Sequence, residues 1–154
     1  MQVCHRDIKL ENLLLSGDKK LVKIADFGLA KDVSTQSAAT IIGTAKYVAP
    51  EQLAGAQYDG FKSDIWACGI CLYCMTECRF PFTKAGKDGV GGFGVKKATQ
   101  KDLALMQDLQ AANYPLKPDR TPEYVEFLSR LICPDVNRRY TAAGMPLYTV
   151  SLVA

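Results

Sequence analysis

Apolar positions along the chain fall into runs of three kinds, and each kind predicts a different element. Asn12 to Leu15 and Leu21 to Ala25 are short apolar runs on either side of Ser16-Gly17-Asp18, a turn-forming triplet, so they predict two strands of a hairpin. Asp64 to Cys78 is apolar at most positions, and a run of that length predicts a helix buried on most sides. Lys101 to Asn113 predicts an amphipathic helix whose stripe is set by Leu103, Met106, Leu109 and Gln110. Thr121 and Pro122 give an N-cap and a proline at the first helical position, where a missing N–H costs nothing; that helix runs to about Cys133. Thr141 caps one more helix, which Gly144 and Pro146 cut short. The periodicity lapses in two places. Residues 26–51 are polar and rich in Ser, Thr and Ala, as a long functional loop is, and residues 83–100 are rich in Gly and Lys, as an exposed insertion is. No internal repeat is present.

Composition narrows the function classes. With 154 residues the chain is one domain or most of one, long enough for a real core. Its 48% apolar and 23% charged residues are ordinary for a globular protein. The net charge of +3 is dispersed, and pairs such as Lys19-Lys20 and Lys96-Lys97 are too short for a phosphate-backbone footprint, so no nucleic-acid partner is expected. No apolar stretch reaches bilayer length and no leader-like apolar region opens the chain, so neither a membrane anchor nor a signal peptide is expected. Four of the cysteines crowd into residues 68–78, which suits reduced thiols in the cytoplasm or nucleus better than a disulfide framework.

The chemistry is concentrated near the start. Residues 5–12 read H-R-D-I-K-L-E-N, residues 26–28 D-F-G, and residues 49–51 A-P-E. Phosphoryl transfer asks for positioning, charge neutralisation and a group that takes the attacking hydroxyl's proton. Asp7, Lys9, Asn12 and Asp26 supply an acid, a cation, an amide and a second acid in one order. Any one of them alone is more often a turn former; the ordered set carries the signal. Over about residues 3–143 it resembles the catalytic domain of eukaryotic protein kinases of the Ser/Thr type.

That resemblance implies a role for each matching position. Asp7 orients and deprotonates the substrate hydroxyl, and Lys9 steadies the transferred phosphate. Asn12 and Asp26 are magnesium ligands, hard oxygen donors of the kind a magnesium–phosphate complex takes. Lys9, Asn12 and Asp26 are then the contacts for ATP and Mg2+. Residues 26–51 become an activation segment, with Arg6 gripping a phosphate on Thr40 and ordering the loop. The implied partners are a protein substrate and an upstream activating kinase acting at Thr40. Thr44 bridges Asp7 and Lys9 beside the substrate. Glu11 matches a contact to a substrate arginine in basophilic members, although the second acid some of those carry falls at Cys74. Glu51 and Arg139 match a buried ion pair, and Asp64, in S-D-I-W-A-C-G with Trp66, matches the aspartate that holds the catalytic loop's backbone. The run C-H-R-D-I-K-L-E-N with Tyr58-Asp59-Gly60 resembles the calcium/calmodulin-dependent group, particularly plant-type sucrose-non-fermenting-related kinases.

The implied fold class is mainly α: a kinase-like C-terminal lobe, helical, with a short β-hairpin near the catalytic loop. The family's β-rich N-terminal lobe is expected to be missing, since no glycine-rich strand pair, strand lysine or hinge precedes His5. Residues 1–145 are thus expected to form a partial kinase domain carrying the insertion at 83–100, with a divergent tail at 146–154. Without ATP positioning from a second lobe, transfer should be poor, because proximity is worth about 7–11 kcal/mol. Apolar surface left uncovered would also make the chain dependent on a partner. A non-catalytic, kinase-like module that holds another protein in its substrate groove is the alternative.

Two motifs are decoys. Cys68, Cys71, Cys74 and Cys78 have the spacing of half a ferredoxin motif, but on a helix the first and last are separated by a rise of about 15 Å, too far to share one cluster. Residues 89–94, G-V-G-G-F-G, match a phosphate-binding glycine pattern, yet no clear strand precedes them and no V-A-I-K-type lysine follows, so they read as surface insertion.

Overall fold

The computed structural model describes residues 3–32, 44–54, 57–82 and 100–146. Thr40, most of the Gly/Lys-rich insertion and all of the tail beyond Pro146 lie outside the described residues. In chain order the elements are strands β1 (Val3–Cys4), β2 (Leu13–Leu15), β3 (Val22–Ile24) and β4 (Lys31–Asp32), then helices α1 (Pro50–Leu53), α2 (Gly60–Glu77), α3 (Gln100–Ala111) and α4 (Pro122–Leu131). Single 3-10 turns lie at Leu10–Asn12 and Ala45–Tyr47.

The hairpin forms where the two apolar runs predict it. Leu13, Leu14 and Leu15 pair antiparallel with Ile24, Lys23 and Val22, and the turn is closed by Ser16 N–H to Leu21 O at 2.8 Å. Asn12, expected as the first strand residue, instead ends a 3-10 turn. The described part of the loop expected over 26–51 is more structured than its polarity suggests. It contributes β4, which pairs antiparallel with β1, as well as the 45–47 turn and α1. A two-residue strand whose partner lies far upstream leaves no local periodicity to read.

The core is built around α2. Its N-cap is Asp59, whose carboxylate accepts from Phe61 N and Lys62 N at 2.9 and 3.3 Å. The helix therefore begins at Gly60, a turn before the expected Asp64, because Gly60 and Lys62 mask the apolar pattern there. It stops at Cys78, which takes a left-handed conformation (φ 55°) and returns its N–H to Cys74 O. Trp66, Ile70, Cys71 and Tyr73 are all but fully buried along it, and Leu128 and Ile132 of the α4 region close over them.

Contact between α2 and α4 depends on Gly69. A Cβ there would stand 2.8 Å from both Leu131 Cβ and Ile132 Cγ1. Gly69→Ala is expected to force the helices apart and cost about 1–3 kcal/mol, as overpacking does. A urea midpoint equal to that of the unaltered chain would refute the close approach.

α3 spans Gln100–Ala111 and not Lys101 to Asn113. Among its described side chains the buried ones are Leu105 and Leu109, one turn apart, while Gln110 faces out, so Leu105 replaces Gln110 in the expected stripe. α4 ends at Leu131, short of Cys133, with Thr121 Oγ1 accepting from Tyr124 N at its start. Thr141 caps a turn and no helix, accepting from Gly144 N at 3.0 Å.

Two polar networks fasten the helices. Arg139 is 2% exposed and grips Glu51 with two bonds, Nη1 to Oε1 at 2.5 Å and Nη2 to Oε2 at 2.9 Å. The same guanidinium donates to Cys133 O and Lys62 O and lies 5.1 Å from the Trp66 ring. At the other end of α2, buried Glu77 accepts from Arg120 Nε at 2.6 Å and Lys117 N at 3.1 Å. Arg120 and Lys117 also donate to Thr76 O, capping the helix's negative end with cations. Sequence reasoning anticipated the first network and not the second, whose only trace is an acid inside an apolar run.

Candidate active site

The loop that carries Asp7 runs from β1 to the 3-10 turn at 10–12, and Asp64 of α2 holds its backbone. Asp64 Oδ2 accepts from His5 N at 2.7 Å and Oδ1 from Arg6 N at 2.8 Å. Burial pushes the Asp64 carboxyl up, although these two N–H groups oppose that shift. The bonds hold Arg6 at φ 64°, a conformation that a non-glycine residue adopts only when its surroundings enforce it. His5 is the hub. Its Nδ1 accepts from Asp7 N at 3.3 Å, which leaves the proton on Nε2 to donate to Ala25 O at 2.9 Å. Its ring also meets Phe27 edge-on at 4.9 Å between centroids. One imidazole thus links the loop holding Asp7 to the Ala25 carbonyl and the Phe27 ring, on either side of Asp26.

Asp7 is surrounded by donors. Lys9 Nζ stands 2.6 Å from Oδ2, Thr44 Oγ1 donates to Oδ1 at 3.0 Å, and Lys9 Nζ reaches Thr44 Oγ1 at 3.3 Å. Burial pushes the carboxyl up, but the bonds from Lys9 and Thr44 outweigh it and hold Asp7 below the usual range. Lys9's own pKa is raised by its bond to Asp7, with Glu11 and Asp26 adding to the effect. At neutral pH the pair is a carboxylate and an ammonium. Replacing Lys9 with Met removes the lysine's lowering contributions and leaves burial opposed by Thr44 alone, so the Asp7 carboxyl is expected to titrate at higher pH. A carbon-13 NMR titration of the carboxyl checks this, and an unmoved titration sinks it.

Asn12 is buried and donates Nδ2 to Asp7 O at 2.9 Å, while its main-chain carbonyl accepts from Ala25 N at 2.8 Å. The amide's donor end is spent on the fold, leaving the oxygen as the end a metal takes. Asp26 is exposed, has φ 61°, and accepts from Gly28 N through Oδ1 at 3.2 Å. The hairpin lies between these residues: Asn12 precedes β2 and Asp26 follows Ala25, just past β3. Among the described residues no group of three or more His, Cys, Asp or Glu side chains is placed to hold a metal. One amide oxygen and one exposed carboxylate suit Mg2+, which takes few protein ligands and fills the rest from phosphate and water.

The structure therefore brings Asp7, Lys9, Asn12 and Thr44 into direct contact, with Asp26 joined to them through Ala25. Glu11 lies to one side, where its carboxylate accepts from the Tyr47 hydroxyl at 3.4 Å. Arg6 donates Nε to Leu29 O at 2.8 Å, and its expected partner Thr40 is outside the described residues. His5 and Tyr47 are the positioning residues that sequence reasoning passed over; Tyr47 OH also accepts from Leu10 N at 3.4 Å. Cys68, Cys71 and Cys74 lie along α2, and burial pushes their thiols up to about 11, about 12 and about 11, so they stay protonated. No helix of the described residues is long and apolar enough to cross a membrane.

Comparison with known proteins matches residues 1–146 to the family described as protein kinase domain. Serine/threonine-protein kinase SRK2B of Arabidopsis thaliana is 36% identical over 150 residues, covering 92% of this chain and 37% of its own length. SRK2A of the same plant is 35% identical over 152 residues, covering 93% of this chain and 38% of itself. Serine/threonine-protein kinase SAPK2 of Oryza sativa subsp. indica is 48% identical over 84 residues, covering 53% of this chain and 25% of itself. The chain thus spans two-fifths or less of the length of these relatives.

Proposed function

The chain belongs to the protein kinase family, and from that premise we propose that it carries the site for phosphoryl transfer from Mg-ATP to Ser or Thr hydroxyls of a protein. The observation that carries this reading is the Asp7 carboxylate, kept ionised by Lys9 and Thr44 within one hydrogen-bonded cluster.

An ionised Asp7 retains lone pairs that accept an incoming hydroxyl and aim its oxygen. A carboxylate held at low pKa is a weak base, so orientation is the larger part of its work and proton acceptance comes late in transfer. Lys9 offers its ammonium to the migrating phosphoryl oxygens while remaining within reach of Asp7, and Thr44 fixes the distance between the two. Asn12 and Asp26 would hold Mg2+, which supplies charge neutralisation at the phosphates.

Glu11, exposed beside Tyr47, is the proposed contact for a basic substrate residue. Among the described residues Arg6 donates through Nε, and its terminal nitrogens are the proposed receptor for a phosphate on Thr40, placed there by an upstream kinase. We take the described elements as the helical lobe of such an enzyme. A nucleotide-covering element would sit over the hairpin, and transfer is slow without one. Cysteines in free-thiol form support a reducing compartment, cytoplasm or nucleus.

The test is magnesium-dependent ATP binding by calorimetry alongside transfer to a serine peptide. Asp26→Ala is expected to abolish the magnesium dependence without moving the unfolding midpoint. Magnesium dependence that survives Asp26→Ala would rule out this metal site. Protein partners captured equally well by the unaltered chain and by Asp26→Ala, with no transfer by either, would favour a non-catalytic binding module.

A further inference from the structure

The turn from Thr44 to Tyr47 is bolted to the catalytic loop at both ends. Thr44 Oγ1 donates to Asp7 Oδ1 at 3.0 Å, and Tyr47 OH accepts from Leu10 N at 3.4 Å. Lys46 lies between these anchors and is exposed. In a 3-10 turn each residue advances about 2.0 Å, so the Lys46 backbone lies within about 4 Å of Thr44 along the turn. An extended peptide covers about 3.3–3.6 Å per residue, so a chain whose hydroxyl meets Asp7 passes Lys46 within a few residues.

The lysine head is not left to wander. Its Nζ sits 4.5 Å from the centroid of the Phe80 ring, and Phe80 is itself fixed edge-on against Tyr47 at 5.5 Å and packed on the core. The ring face attracts the ammonium and limits the rotamer freedom that a partner would otherwise have to freeze. The charge also reaches Cys74, on the last turns of α2, where it opposes the burial that raises that thiol. Glu11 meets the hydroxyl of the same Tyr47. The wall beside the site thus presents one charge of each sign, both keyed to Tyr47, and the cation is the one held over a ring.

We propose that Lys46, held over Phe80, is a specificity residue that selects peptide substrates carrying an acidic side chain a few residues from the phosphorylated hydroxyl. This rests on the kinase reading and names the substrate class for that site. A carboxylate there meets an ammonium already positioned, and a basic residue at the same place is repelled.

The experiment is fluorescence anisotropy of the 154-residue chain with fluorescein-labelled serine peptides of neutral background, a single Asp or Arg being moved through each flanking position in turn. At one position Asp is expected to tighten binding about fivefold over Ala, the scale of an accessible ion pair, with the gain shrinking as salt rises. Lys46→Met is expected to erase that gain and Lys46→Glu to transfer it to Arg. Both changes lie at an exposed position, and circular dichroism checks that the fold is kept. An Asp preference that survives Lys46→Glu, or peptides that bind at no position better than free dye, overturns the proposal. If binding follows Lys46 but the same peptides accept no phosphate from Mg-ATP even with a longer chain that adds a nucleotide-covering element, the kinase reading fails while the specificity assignment stands.

Discussion

Replacing Arg139 with alanine is expected to cost about 3–5 kcal/mol, a large share of the about 5–15 kcal/mol that holds a domain together. The guanidinium is 2% exposed and engages Glu51 with two bonds, Cys133 and Lys62 through their carbonyls, and the Trp66 ring through its face. Its removal leaves the Glu51 carboxylate without its cation and the Cys133 carbonyl without this donor where water has little access, so the loss exceeds what the ion pair itself contributes. Arg139→Lys keeps the charge but not the planar fork and should fall between the two. Urea unfolding followed through Trp66, the chain's one tryptophan and fully buried, reads the difference directly. A loss below about 1 kcal/mol would place this pair with ordinary surface salt bridges and sink the argument.

Asp7→Asn is expected to lower transfer to a serine peptide by about 10²–10⁴-fold, the range attributed to a positioned acid–base group, with little change in unfolding. Asparagine preserves shape, and its oxygen can still accept from Thr44, but it neither balances the Lys9 ammonium nor accepts a proton. In the unaltered protein, the position of Asp7's pKa below the usual carboxylate range fixes the sign of the acid limb. Activity should hold through neutral pH and fall only as pH drops through that depressed value. In the Lys9→Met chain the acid limb should begin at higher pH. Kinetic profiles of the 154-residue chain, or of a longer chain that contains it, test both expectations. An Asp7→Asn chain that transfers phosphate at the unaltered rate would remove Asp7 from the mechanism.

Sequence read some of these features well for a physical reason. Asp7, Lys9, Asn12 and Asp26 lie close together along the chain and are tied by local geometry: a 3-10 turn, a hairpin and one imidazole. The Glu51–Arg139 pair and the hold of Asp64 on the loop are long-range, and only the resemblance made them visible. What stayed hidden had no local signature. The β1–β4 ladder has two residues a side, the first turn of α2 carries Gly60 and Lys62, and Leu105 sits in the unbroken apolar run 103–106, which does not mark the residue that turns inward. Lys46 looks like any surface lysine until Phe80 is found beneath it. Periodicity reports which face of an element is buried; it does not report which distant ring a cation rests on.

The β2–β3 hairpin has a thermodynamic consequence. Leu14, Leu15, Leu21, Val22 and Ile24 are 45–63% exposed on it, and a two-stranded ribbon with uncovered apolar side chains is marginal by itself. Its two chain ends carry Asn12 and Ala25-Asp26, so the ladder sets the spacing of the pair proposed to hold magnesium. A partner that covered those side chains would stiffen the ladder and, on the proposed reading, tighten magnesium at the open end of the same hairpin. By reciprocity, magnesium would tighten that cover by an equal factor. The hairpin is in this sense a linkage element: two ligands that never touch are each other's effectors, and the affinity of either reports the presence of the other.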